Sequence, residues 1–221
     1  MPISLPRRLR LPFLQRPPAD PVVVPQERSA EPPAPEIEFV AYAEDCRLSG
    51  VLRLTGERLT DLLNEHDEIE LDGVLVEPLA DVGGVELRTL TVTRDELLVV
   101  TASGPRGHPG RRHRTRAHPV AIQSGPYHVR GYVHAIPGAD PLVVVRRRGP
   151  FVPLTDAWIE YDRAGELVRR HEPGLIVNRD VVDWIALVTD DAIELPEPGD
   201  LALPVEVGPL VKDFTGQVLA P

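Results

Sequence analysis

The chain has 221 residues, 42% of them hydrophobic, and a formal charge of −10. That is apolar enough to form a core, which excludes wholesale disorder, and too acidic for a broad nucleic-acid-binding face. No apolar run approaches the ~20 residues of a membrane-spanning helix, and with Cys46 as the only cysteine an internal disulfide is impossible.

Charge is segmented along the chain. Residues 1–35 are net +2, 36–103 net −11, 104–118 net +5, 119–189 balanced and 190–221 net −6. Residues 1–35 are dense in proline, which fixes φ and removes the backbone donor, so they read as a disordered basic arm. Within this arm Arg7, Arg8 and Arg10 alternate with leucines and Phe13, a pattern suited to docking on a partner. The start has no continuous apolar core or small-residue cleavage site, so it does not read as a secretory signal. A cytoplasmic location is expected.

Residues 36–103 read as a first β unit. Alternating runs "IEFVAYA" and "RLSGVLRL" are strands, the second carrying a bulge or close approach at Gly50. In "GERLTDLLNEHDE" Leu59, Leu62 and Leu63 form one apolar stripe, which predicts a short helix at about 57–65. Thr55 is placed to cap its start, and Arg58 and Asp61, three apart, to pair on its surface. "IELDGVLVEPL" and "VELRTLTVT" follow as strands, and Arg94-Asp95 marks a turn before "LLVV".

Residues 104–117 are an arginine-rich connector carrying Arg106, Arg111, Arg112, Arg114 and Arg116. Residues 118–189 read as a second β unit, with Ala164-Gly165 in a hairpin turn. Its "GADPLVVVRRRGP" has Pro141 and three consecutive valines and reads as strand, the helical pattern lost. Arg146, Arg147 and Arg148 extend the basic edge of the connector. Residues 190–221 are an acidic, proline-rich strip, either an irregular strand over the second unit or a tail.

The two units align in four segments. Val40-Ala41 falls over Val120-Ala121, and Leu48-x-Gly50 over Val129-x-Gly131. Glu68–Val76 falls over Phe151–Ile159, and Leu90–Val100 over Leu175–Ile185. The expected fold is therefore mainly β: two tandem related units, each a small barrel or bent sheet, the first with a short helix.

The residues Gly50, Arg58, Leu59, Thr60, Asp61, Leu63 and Asn64, followed by Leu71 to Val76, resemble the pattern of an uncharacterised family of bacterial small domains. That family carries a strand glycine and then an Arg-Leu-Ser/Thr-Asp-x-Leu-Asn helix. The resemblance implies no activity. It singles out Arg58, Asp61 and Asn64 as a candidate motif.

Parts for catalysis are missing. Cys46 has no histidine nearby in sequence and reads as a structural thiol. Ser49 and Ser124 lack nucleophile-elbow glycines, and Gly83-Gly84 reads as a turn. His108, His113 and His118 are spaced five apart among arginines, with no cysteine or acid, so no metal is expected. No catalytic, cofactor-binding or metal-binding residues are assigned, and no cofactor is expected. The expectation is a non-catalytic interaction, regulatory or scaffold module whose partner is another protein, with contacts through the arm and connector. Nucleic acid bound at 106–116 is the alternative, and an enzyme centred on Arg58, Asp61 and Asn64 ranks last. Nothing in the sequence points to an oligomeric state.

Overall fold

In the computed structural model, residues 34–54, 58–105, 110 and 114–193 are described. Residues 1–33 of the arm, including Arg7, Arg8, Arg10 and Phe13, lie outside the described residues. So do Arg106, Arg111, Arg112 and the helix-capping candidate Thr55.

The first half runs β1 (Glu36–Tyr42), β2 (Cys46–Arg53), α1 (Leu59–Glu65), β3 (Glu68–Pro78), β4 (Val85–Thr93) and β5 (Val99–Thr101). The second runs β6 (Arg116–Ser124), β7 (Tyr127–Ala135), α2 (Pro141–Arg147), β8 (Phe151–Arg163), β9 (Glu166–Asn178) and β10 (Trp184–Leu187). Every pairing is antiparallel. Among the described residues the strands form one sheet in the order β10-β6-β7-β8-β9-β5-β1-β2-β3-β4, which does not close. Thus each half repeats one strand order, and the halves join where β9 pairs with β5.

The registers match as well as the order. Phe39 faces Gly50 across β1 and β2, and Val120 faces Gly131 across β6 and β7. Each glycine sits at a bulge where the next strand shifts register, between Ser49 and Val51 and between Arg130 and Tyr132. Both bulges need a glycine because the adjacent strand is too close for a side chain. A Cβ on Gly50 would lie 3.0 Å from the Asp72 carbonyl oxygen, and one on Gly131 would lie 2.8 Å from Ala157 Cβ. Opposite the bulges, Gly73 and Asp156 hold positive φ values of 58° and 50°. Such bulges bend the sheet locally.

Two expectations need correction. The sequence "DPLVVVRR" is a helix, α2, and not a strand. Asp140 caps it by accepting from the Leu142 and Val143 amides at 2.9 and 3.4 Å, and Pro141 occupies its first turn. A capped start with proline just inside outweighs the strand preference of three valines. The alignment of Val40-Ala41 with Val120-Ala121 is one residue out, since the register places Phe39 and Ala41 over Val120 and Ile122. All four are buried, whereas a one-residue slip would turn them to the opposite face.

The Ala164-Gly165 hairpin is as expected, with positive φ at both residues, 52° and 85°, as a type I′ turn requires. Arg94-Asp95 opens a short 3₁₀ turn, Arg94–Glu96, closed by a Thr93–Glu96 capping box.

The core is in two clusters that exchange residues across the junction. The first-half cluster, with Phe39, Leu52, Leu59, Leu63 and Leu71, takes in Phe151 and Ile176 from the second half. The second, with Val129, Leu154, Ile159 and Leu175, takes in Tyr42, Leu98 and Val99 from the first. Neither half encloses its own apolar residues alone.

Candidate functional site

The helix motif is the first place to look for chemistry. Leu59, Leu62 and Leu63 point α1 into the core and leave its polar residues at the edge. Arg58 bonds both carboxylate oxygens of Asp61, Nε to Oδ2 at 2.8 Å and Nη2 to Oδ1 at 3.0 Å, on the exposed surface. Asn64 turns away from this pair. Its Nδ2 donates to the carbonyls of Thr60 (2.8 Å) and Phe151 (3.2 Å), and its Oδ1 accepts from the Phe151 amide (3.0 Å). Asn64 therefore pins α1 to the start of β8. The three motif residues do not converge on a common point.

Cys46 is free and partly buried. Burial, followed by the nearby Asp45 carboxylate, pushes its thiol up to about 11 from an ordinary 9.0. The thiolate is the reactive form, so two pKa units mean about 100-fold less nucleophile near neutrality. We expect alkylation by iodoacetamide at pH 7.5 at least tenfold slower than for a free cysteine peptide, rising to the peptide rate on unfolding. An equal rate in the native protein would contradict this environment.

One polar cluster was not anticipated from sequence. It lies on the face of β7, β8 and β9 opposite the second-half core. His134 Nε2 sits 2.8 Å from Thr155 Oγ1, and its Nδ1 3.3 Å from Thr115 Oγ1. Burial, then the charges of Arg148 and His118, lower the His134 pKa and favour the neutral ring. Beside it, His171 Nε2 lies 2.6 Å from Asp156 Oδ1, and the His171 ring tilts against Trp158 at 4.8 Å. Asp156, the partner of His171, sits opposite the Gly131 bulge with its left-handed φ of 50°. Its members are scattered over 57 positions from Thr115 to His171, and only the strand registers bring them together.

The described connector arginines sit close by. Arg114 and Arg116 are exposed, and Arg116 pairs in register with Ala135. Arg148 Nη2 donates to the His134 carbonyl at 2.7 Å on the same strand. The result is a basic corner at the root of β6. The C-terminal strip starts on this half too: Arg130 Nη1 donates to the Ala192 carbonyl at 2.9 Å, and Ile193 is buried.

Among the described residues no group of three or more His, Cys, Asp or Glu side chains is placed to hold a metal, and no helix is long and apolar enough to cross a membrane. The class defined by this architecture is a mainly β protein, its described residues built on one open, ten-stranded antiparallel sheet. Comparison with known families, curated proteins and solved structures finds no match.

Proposed function

We propose that the chain is a non-catalytic bacterial module, acting in the cytoplasm, that binds another protein. Its β halves, two copies of one ancestral unit, form the rigid frame. Contacts are made by the arm residues Arg7, Arg8, Arg10 and Phe13 and by the connector arginines Arg106, Arg111, Arg112, Arg114 and Arg116. The observation that carries this reading is the basic corner of Arg114, Arg116 and Arg148 on a chain of net charge −10. A compact positive site on an acidic body favours a partner with a local acidic patch and repels extended polyanions. The structural use of Asn64 agrees with a frame, not a reaction centre.

The test is affinity capture with the full chain, with a chain lacking residues 1–35, and with Arg114→Glu/Arg116→Glu. Each change is expected to remove the same specific partner. Identical partner sets for all three would overturn the reading. Nucleic acid recovered instead, with affinity falling linearly in log salt, would establish the alternative.

A further inference from the structure

We infer that the two ends of the sheet, β4 and β10, bind each other between copies of this chain, head to tail. This does not depend on the arm or the connector.

The reason is an incomplete symmetry. The halves share strand order and register, and they join through one edge pair, β9 with β5. The counterpart of β9 is β4, since Thr93 pairs with Glu68 as Asn178 pairs with Phe151. The counterpart of β5 is β10, since Trp184 pairs with Gln123 at the end of β6 as Val99 pairs with Tyr42 at the end of β1. The junction made within the chain by β9 and β5 thus has a second version, equivalent in register, available to β4 and β10. Among the described residues these strands are the two ends of the sheet.

The backbone is turned the right way. In the internal junction the Asn178 amide donates to Leu98 O and the Ala102 amide to Gly174 O, both at 2.9 Å. Residues 174, 176 and 178 therefore direct their polar groups at β5. Their counterparts are Thr89, Thr91 and Thr93, so these face the open side of β4. On β10, Val188 donates to Pro119 O at 3.1 Å, continuing the ladder with β6. By alternation Ile185 and Leu187 face the open side.

The side chains at both edges are also less covered than their counterparts at the internal junction. At the internal junction Val99, Val100, Leu175, Ile176 and Val177 are all buried. Trp184 holds the place of Val99 yet remains partly exposed and belongs to neither core cluster. Leu90, the counterpart of Leu175, is partly exposed, and Leu187 is 47% exposed. Docking β10 against β4 of a second chain lays Trp184 over Leu90 and Val92. A large aromatic at the centre of an interface is the commonest energetic anchor.

Charge complements the fit. Arg94 Nη1 bonds the Asn64 carbonyl, and Arg179 Nη1 bonds the Arg146 carbonyl, so Arg146 stands where Asn64 does. Asn64 reaches across the internal junction to Phe151, whose counterpart is Glu68. In the second version Arg146 meets the exposed Glu68 of the next chain, with Glu70 beyond. A heterologous contact of this kind repeats, giving a closed ring or a filament and not a simple dimer. Edge strands of this sort are ready templates for pairing.

The test is native mass spectrometry and sedimentation of the full chain and of two edge variants. Thr91→Pro removes an outward amide from β4 without touching its bonds to β3. Trp184→Glu spoils β10, and Leu187→Pro, also at an outward amide, replaces it should Trp184→Glu lose its circular-dichroism signature. The wild type is expected to form species of more than two chains. Each variant alone falls to one-chain mass, and a β4 variant mixed with a β10 variant yields a two-chain species only, because one good edge remains on each. A wild type that stays at one-chain mass at its highest soluble concentration would overturn the inference. So would an assembly unaffected by the edge variants, or variants that fail to form the two-chain species on mixing.

Discussion

Replacing Tyr42 by alanine lowers the unfolding free energy by about 3–5 kcal/mol, the range for removing a fully buried aromatic side chain. Tyr42 lies at the end of β1 with no exposed surface. Its ring packs edge-on against Tyr127 at 5.3 Å and Tyr161 at 5.6 Å, and those two rings meet at 5.4 Å. Two of the three rings come from the second half, so the deletion empties the place where the halves meet. Tyr127 is fixed further by its hydroxyl, which donates to the Ala43 carbonyl at 2.7 Å. Because each core cluster takes residues from the other half, the loss should appear as one cooperative transition at lower denaturant, with unchanged slope. Two separated transitions in urea, the first alone shifted, would mean that the halves fold independently.

The second large effect concerns Asn64 and Gly149. Asn64→Ala leaves the amide and the carbonyl of Phe151 without that side chain's hydrogen bonds, and a buried unpaired backbone group costs about 1–3 kcal/mol. Gly149→Ala acts on the same knot. A Cβ there would lie 2.3 Å from Asn64 Oδ1 and 2.7 Å from Asn64 Cγ, so the asparagine must move off Phe151. Each single change is expected to cost about 2 kcal/mol. The double change should cost little more than either alone, because the first already removes the clamp. Additive losses in a double-mutant cycle would show that Gly149 matters for its own backbone and not for Asn64. The cycle also bears on the helix motif. Asn64 makes a long-range packing bond at a place that sequence spacing presents as a possible site.

Much of the local structure was legible in the residues. The alternation of "IEFVAYA" and "RLSGVLRL" determined the first strands, because a pleated strand turns successive side chains to opposite faces. The leucine spacing determined α1, and the spacing of three put Arg58, the extended residue just before the helix, within reach of Asp61 in its first turn. Ala164-Gly165 determined its hairpin. The second helix was also written in the chain, in Asp140-Pro141, but was masked by valines that favour strands when nothing caps them. What only the tertiary structure decided is how the halves combine. Nothing local in Tyr42, Val99 or Phe151 says that each is buried in the other half's core, or that β9 pairs with β5. Nor does any local pattern gather Thr115, His134, Asp156 and His171 on one face. Period and capping act over a few residues, whereas strand partnership depends on which edges and apolar faces remain uncovered once every local element has formed.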